Sequence, residues 1–110
     1  EASKEVPRRL SHPSRKTIGL RVPEHKTLQC LLELHGAPLL ATTLIPRGET
    51  EPLNDAQDIR NLLEHELAAV IDAGACHQEP STVIDLTPMG DGGEAVVTRQ
   101  GRGDVARLGL

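Results

Sequence analysis

The residues whose chemistry stands out in this sequence are two neighbouring hydroxyl side chains, Ser81 and Thr82. They come directly before the aliphatic run 83–86 (VIDL), which has the pattern of a β-strand. Hydroxyl groups at a strand end can hydrogen-bond a ligand without changing their own charge. The more ordinary role of such residues is simply to begin the strand, and both interpretations stay open from the residues alone.

Most other motifs that carry catalysis or hold a cofactor do not occur in the sequence. It has no Gly-rich phosphate loop, no HExxH or GxSxG motif and no Ser/His/Asp spacing typical of hydrolases. The five histidines never fall at zinc spacing, and the adjacent Cys76 and His77 lack a second pair of ligands. Cys30 and Cys76 fit reduced thiols better than a disulfide. We therefore predict a cytoplasmic protein with no metal site.

Composition excludes further classes of function. With 110 residues, 37% of them hydrophobic, the chain is predicted to form one small domain with a modest core. It contains no Phe, Tyr or Trp, so it cannot stack bases as single-stranded RNA or DNA modules usually do. No apolar stretch approaches the ~20 residues that a membrane-spanning helix requires, and we predict no membrane partner.

The net charge of −4 conceals a basic N-terminal region. Residues 1–26 carry seven Lys or Arg against three Glu. A local basic region on an acidic protein could attract phosphate groups or RNA. The alternative is a solvated and partly disordered leader, which we predict over residues 1–15, followed by a folded region over residues 16–110.

Strands and helices are predicted to alternate from residue 16 onward. Apolar and polar residues alternate over 17–22 as in a half-buried strand, and the apolar periodicity over 25–35 indicates a helix that Gly36 ends. A second helix is predicted to begin at Asn54 as its N-cap. Further strands are predicted over 38–44, 67–71, 83–86 and 94–98. The uninterrupted apolar run 67–71 is predicted to be covered on both faces. This order predicts an α/β (α+β) fold, a twisted mixed sheet flanked by helices.

The Arg-Gly-Asp tripeptide at 102–104 is a motif of adhesion ligands in extracellular proteins. We interpret it here as a turn that leads into a short helix. Asp104 would then be the N-cap of that helix.

Four motifs, in this order and with helices between them, resemble the second half of the YrdC/YciO family: KTIGLRVP (16–23), APLLATTLIPRG (37–48), PSTVIDLT (80–87) and AVVTRQGRGDV (95–105). The resemblance extends over nearly the whole chain from about Lys4. The best-known members of this family are threonylcarbamoyl-AMP synthases of transfer RNA modification. The resemblance implies a YrdC-like fold with a basic concave pocket, and ATP, threonine, bicarbonate and Mg²⁺ as ligands of the intact enzyme.

The resemblance also implies roles for individual residues. Arg21 and Arg99 would contact nucleotide phosphate, and Ser81 and Thr82 would hydrogen-bond the nucleotide or the threonyl part. Thr43 keeps a hydroxyl at the start of the family's Ser-Ala-Asn signature, whose other positions are aliphatic here. That replacement resembles the YciO branch.

Two motifs of the family's first half, a Lys-x-Arg-Pro segment and a Pro-Thr-Glu-Thr strand, have no counterpart in this sequence. We therefore expect the chain to be the C-terminal half of such a domain. Three hypotheses follow. The chain is part of a nucleotide-handling enzyme, inactive alone and without a cofactor of its own. Alternatively, it is a non-catalytic module that binds double-stranded RNA or transfer RNA, or it is a structural fragment without a separate activity. The expected partner is accordingly a nucleotide (ATP or AMP) or RNA.

Overall fold

A computed structural model describes residues 4–110 and contains, within them, two α-helices and a two-stranded antiparallel sheet. Helix α1 is Lys26–His35, helix α2 is Ala56–Leu63, strand β1 is Val83–Asp85 and strand β2 is Val96–Arg99, and short 3-10 helices are formed by Arg8–Leu10, Thr87–Asp91 and Val105–Leu108. The predicted mixed α/β class is confirmed. Among the described residues no helix is both long enough and apolar enough to cross a membrane.

The chain divides into two units, which are described separately below. The first, called the hairpin unit, combines the N-terminal segment through Val22 with Glu79–Leu110. The second, called the helical unit, is Pro23–Gln78 and contains α1 and α2. Residues 1–3 of the predicted leader lie outside the described residues, and the leader's boundary at residue 15 stays a prediction.

Strands β1 and β2 of the hairpin unit form the predicted antiparallel hairpin. In order along β1, the paired residues are Val83 with Arg99, Ile84 with Val97 and Asp85 with Val96, and the register is irregular between Val83 and Ile84. β-branched residues such as these valines favour an extended, pleated backbone. The chain returns through Thr87–Asp91, which ends at Gly92 in the left-handed conformation (φ 79°). The hairpin thereby brings the start of β1 beside the end of β2.

Helix α1 begins and ends where local signals place it. The Nδ1 atom of His25, the N-cap, accepts a hydrogen bond from the Leu28 N–H at 3.4 Å. The helix ends at Gly36, whose φ of 66° lies in the left-handed region that glycine adopts without steric cost. The predicted helix over 25–35 and its termination at Gly36 are both confirmed.

Helix α2 has Asp55 as its N-cap, so the prediction of Asn54 in that role is wrong. The Asp55 Oδ1 accepts hydrogen bonds from the N–H groups of Gln57 and Asp58 at 2.8 and 3.0 Å. Asn54 Oδ1 accepts instead from the Cys76 N–H at 2.6 Å. Both residue types cap helices well. The negative charge of Asp55 adds a favourable interaction with the helix dipole, which leaves the Asn54 amide to bind another segment.

Three of the predicted strands, 17–22, 38–44 and 67–71, are not strands in the described part of the chain. An alternating or continuous apolar pattern shows that a segment suits a pleated, covered surface. A strand also requires a neighbour whose backbone pairs with its N–H and C=O groups. These segments have the pattern of strands but no paired neighbour among the described residues.

No described residue is buried, so the predicted core is absent from the described part of the chain. The run 67–71 was predicted to be covered on both faces, yet Ile71 is 60% exposed. Four apolar side chains are more than four-fifths exposed: Leu20, Val22, Leu34 and Leu40. Burial of large apolar side chains is the main stabilising contribution in folded domains. These side chains therefore expose surface that compact domains usually cover.

Candidate functional site

Thr82, directly before β1, joins the start of that strand to the glycine loop 101–103, which follows β2. Its hydroxyl accepts a hydrogen bond from the Gly101 N–H at 3.0 Å. The same hydroxyl donates to the Gly103 carbonyl at 2.7 Å. Because a hydroxyl has one proton, Thr82 has none left to donate to a ligand. In this arrangement its hydroxyl positions the loop.

The glycine loop packs so closely on residues 80–82 that its first position has no room for a side chain. A Cβ atom at Gly101 would lie 2.6 Å from the Ser81 carbonyl carbon and 2.8 Å from its oxygen. The Arg102 N–H donates to the Pro80 carbonyl at 3.1 Å and fixes this approach. Sequence reasoning did not assign a role to Gly101. The available signal was the Gly-x-Gly spacing at 101–103.

Arg99, the last residue of β2, is held against Ser81 by two hydrogen bonds. Its Nε–H donates to the Ser81 carbonyl at 2.9 Å, and its Nη2 donates to the Ser81 Oγ at 3.3 Å. A guanidinium has five N–H groups, so three stay available, and the Ser81 hydroxyl keeps its proton for another acceptor. Both side chains are exposed. The pair presents an oriented cation and a hydroxyl donor side by side, a combination suited to phosphate oxygens.

Arg21 and Thr43, the other residues predicted to contact a ligand, are not joined to this pair by any recorded contact. Arg21 belongs to the hairpin unit and is exposed on the segment 17–22. Thr43 is exposed in the helical unit. The structure brings together Ser81, Thr82 and Arg99, while the roles of Arg21 and Thr43 stay predictions.

The chain bends at Arg102 and Gly103, and Asp104 has the predicted capping role. Its carboxylate accepts a hydrogen bond from the Ala106 N–H at 2.9 Å, at the start of the 3-10 helix Val105–Leu108. The aspartate of the Arg-Gly-Asp tripeptide is therefore engaged by its own backbone.

Asp85, in β1, is close in sequence to the candidate site, and its carboxyl group has a lowered pKa. The Thr87 hydroxyl and the Thr87 N–H both donate to its Oδ1, at 2.7 and 2.8 Å. These hydrogen bonds lower the pKa of Asp85 below its usual value, and the charge of Arg15 lowers it further. Asp85 therefore stays ionised at neutral pH, and Arg15 is the basic residue that acts on it.

A concave region lies within the helical unit. A cavity of about 320 Å³ is lined by Leu44, Pro46, Arg47, Leu62, Leu63 and Glu66. Its lining is mostly aliphatic, and Arg47 and Glu66 are the charged members. None of the predicted site residues lines it. Within the part of the chain that the structure describes, no group of three or more His, Cys, Asp or Glu side chains could hold a metal ion.

Comparison with known proteins gives relatives of one family. The chain is 44% identical over 105 residues to the "Uncharacterized protein YciO" of Escherichia coli strain K12, a match that covers 96% of this chain and 49% of that protein. An "Uncharacterized protein" of Haemophilus influenzae is 43% identical over 106 residues, with the same shares. The "Threonylcarbamoyl-AMP synthase" of Bos taurus is 32% identical over 97 residues, or 82% of this chain and 34% of that enzyme. The chain thus spans about half the length of the bacterial relatives.

A solved structure and a family model give the same assignment. The crystal structure of E. coli YciO superposes with a TM-score of 0.77 over 94% of this chain and 48% of that chain, at 44% identity. The family model Sua5_yciO_yrdC, described as "Telomere recombination", matches residues 1–101. The resemblance predicted from the four sequence motifs is confirmed, and the chain belongs to the Sua5/YciO/YrdC family.

Proposed function

We propose that this chain supplies part of the phosphate-binding surface of a nucleotide-handling domain that acts in the cytosol on ATP or AMP. The observation that carries the proposal is the Ser81–Arg99 pair, in which two hydrogen bonds to Ser81 orient the guanidinium of Arg99. Arg99 keeps three N–H groups and Ser81 keeps its hydroxyl proton. Phosphate oxygens accept hydrogen bonds from both kinds of donor.

Thr82 has a different role in this proposal from the one that the family resemblance implied. Its hydroxyl is engaged by Gly101 and Gly103, so it holds the glycine loop in place. The backbone at the ends of β1 and β2 then sets where Ser81 and Arg99 lie. Thr82 acts on the ligand through these neighbours.

For the intact domain we propose the reaction that the resemblance implies: formation of threonylcarbamoyl-adenylate from ATP, threonine and bicarbonate, with release of pyrophosphate. A relative that is 32% identical is named threonylcarbamoyl-AMP synthase. Charge that develops on the transferred phosphate needs donors preorganised on more than one side. Arg21 and Arg99 are the cations that we assign to this chain, which spans about half of the bacterial relatives. We therefore propose that it is inactive alone.

Magnesium would accompany ATP in such a reaction and would neutralise part of the phosphate charge. Divalent magnesium prefers carboxylate, phosphate and water oxygens. The described residues form no cluster of three or more metal-binding side chains. We assign no magnesium ligand to the described residues.

The proposal is tested by titrating the 110-residue chain with AMP and following backbone amide shifts by nuclear magnetic resonance. We expect shifts clustered at residues 81, 82 and 99, with a dissociation constant of roughly 1 mM, because a few exposed charge-assisted contacts give little net free energy. Arg99→Lys keeps the charge but loses the planar fork, and it should weaken binding. Arg99→Ala should abolish it.

Arg107→Ala is the matched control, since it removes the same charge from the same unit outside the proposed site. It should leave AMP binding unchanged. Shifts confined to residues 4–16, or equal effects of Arg99→Ala and Arg107→Ala, would show that AMP responds to general positive charge. The proposed site would then be wrong.

The second candidate function is binding of double-stranded RNA or transfer RNA. The supporting observation is the basic N-terminal segment together with the effect of Arg15 on Asp85, which puts positive charge near β1. RNA contacts made through phosphates weaken steeply with salt. If RNA is the ligand, Arg8→Gln with Arg9→Gln should reduce binding of a 20-base-pair RNA and flatten its salt dependence. AMP should compete weakly or not at all.

A further inference from the structure

Residues 12–17, called the His12 loop, form a closed turn in the hairpin unit. Two backbone hydrogen bonds close it: the His12 N–H donates to the Thr17 carbonyl at 2.8 Å, and the Lys16 N–H donates to the His12 carbonyl at 2.9 Å. Lys16 has a φ of 52°, in the left-handed region that residues with a Cβ rarely adopt. The loop is therefore held closed against an unfavourable backbone conformation.

The imidazole of His12 adds side-chain hydrogen bonds to this turn. Its Nδ1 atom accepts from the Ser14 N–H at 3.3 Å and from the Arg15 N–H at 3.2 Å, and the Ser14 Oγ lies 3.2 Å from the same atom. Because Nδ1 is the acceptor, the ring is neutral in this arrangement and has its proton on Nε2. Asp, Asn or Ser usually has this role at the start of a helical turn. Histidine differs from them because it loses its acceptor when it takes a second proton.

We propose that the His12 loop is a pH-sensitive latch, closed when the ring is neutral and open when Nδ1 carries a proton. Protonation puts an N–H group on the ring where the N–H groups of Ser14 and Arg15 point, so both hydrogen bonds are lost. The left-handed conformation of Lys16 then loses its support and relaxes. A regulatory device of this kind requires a titratable group and a segment with two arrangements, and the loop contains both.

The charges near the ring favour the open arrangement once the ring is protonated. Apart from His12 itself, the charged residues of the loop and of the segment before it, from the 3-10 helix onward, are all basic: Arg8, Arg9, Arg15 and Lys16. Among the described residues, no acidic side chain forms an ion pair with His12. Asp85 of β1, on which Arg15 acts, has its Oδ1 engaged by Thr87. Repulsion between the protonated ring and the neighbouring cations therefore adds to the opening.

Helix α1 of the helical unit provides an internal comparison. Its N-cap, His25, also accepts through Nδ1, but it accepts a single hydrogen bond, from the Leu28 N–H at 3.4 Å. The helix continues over Lys26–His35 with its own backbone hydrogen bonds, whereas the His12 loop has two. Protonation of His25 should therefore affect the first turn of α1 alone, while protonation of His12 should open the whole loop.

The test follows the chemical shifts of the backbone amides and of the histidine rings in the 110-residue chain by nuclear magnetic resonance, from about pH 8 to about pH 5. This range includes the pKa of about 6.5 that histidine has in unstructured peptides. The amides of Ser14, Arg15 and Lys16 should move to the shifts of an unstructured peptide, along the same curve as the His12 ring. The amides of residues 31–35, in the second half of α1, should not move. If they move as much as the loop amides, pH acts on the whole chain and the latch is wrong.

Two variants separate protonation of the ring from other effects of pH. His12→Asn keeps a side-chain acceptor that does not titrate, so its loop amides should have the closed-loop shifts at both ends of the pH range. His12→Ala has no side-chain acceptor, so its loop amides should have the open-loop shifts throughout. Loop amides that stay in place while the His12 ring takes its proton would overturn the proposal. So would a His12 ring that is still neutral at the acidic end of the range, or the same pH dependence in His12→Asn as in the unsubstituted chain.

Discussion

Replacing Gly101 by alanine should separate the glycine loop from the start of β1 and thereby disorder the Ser81–Arg99 pair. The new Cβ would lie within 2.8 Å of two Ser81 backbone atoms. Real Cβ atoms do not approach backbone so closely, and backbone cannot rotate out of the way as a side chain can. The loop must therefore move outward. Arg99 is the last residue of β2, directly before the loop, and it then loses its hydrogen bonds to Ser81.

The size of the effect follows from the contacts that would be lost. Three hydrogen bonds join the loop to residues 80–82: Arg102 N–H to Pro80, Gly101 N–H to Thr82, and Thr82 to Gly103. Each has a net value of about 0.5–1.5 kcal/mol. Because the loop is exposed and its groups regain water, we take a loss of about 2 kcal/mol, within the ~1–3 kcal/mol typical of overpacking. This corresponds to about 30-fold in an opening equilibrium.

Hydrogen exchange followed by nuclear magnetic resonance measures this opening directly. The amides of residues 101 and 102 should exchange about 30-fold faster in Gly101→Ala, up to the rate of an unprotected amide. Gly90→Ala is the matched control, since a Cβ there meets nothing within 4 Å and its φ is not in the left-handed region. Unchanged exchange at residue 102 in Gly101→Ala would refute the close packing of the loop.

Three further predictions concern other parts of the chain. Thr87→Val should raise the pKa of Asp85 towards its usual value, as followed by titration of the carboxyl carbon signal. Because the pKa of Asp85 is lowered in the folded state, its ionised form stabilises the hairpin at pH values above the unfolded-state pKa of about 3.9. This contribution disappears as the pH falls through the folded-state pKa. Asp55→Ala should destabilise α2 by about 1 kcal/mol and speed hydrogen exchange of the Gln57 amide, whereas Asn54→Ala should do neither. If Asn54→Ala has these effects and Asp55→Ala does not, Asn54 is the N-cap. The 110-residue chain alone should release no pyrophosphate from ATP, threonine and bicarbonate, and turnover that Arg99→Ala abolishes would contradict this.

The features that sequence reasoning predicted correctly depend on residues close together in the chain. Gly36 ends α1, and Asp104 begins the last helical turn, because the groups that they satisfy lie within four residues. The hairpin also forms between neighbouring segments, across the turn Thr87–Asp91. The choice of Asp55 over Asn54 escaped prediction because it depends on Cys76, which is 22 residues from Asn54.

Sequence motifs named three residues that lie together in the structure, but they did not predict which hydrogen bonds each residue makes. Ser81, Thr82 and Arg99 were named from motifs, and the structure brings all three together. That Thr82 uses its only proton on Gly103 could not be read from the sequence, because the contact spans 21 residues and requires the loop to fold back. The predicted ligand roles of Arg21 and Thr43 concern segments for which the described residues give no contact with this pair.

The three strand predictions fail for a physical reason that also bears on function. A helix satisfies its backbone groups internally, whereas a strand depends on a second segment. The same sequence pattern can therefore be a strand where a neighbour pairs with it and an unpaired segment where none does. Arg21 lies on such a segment, 17–22, and its side chain is exposed. Arg21→Ala should therefore leave the weak AMP binding at Arg99 intact in the 110-residue chain, as measured by the same amide-shift titration. Clearly weaker AMP binding by Arg21→Ala would show that Arg21 reaches the site without a paired strand.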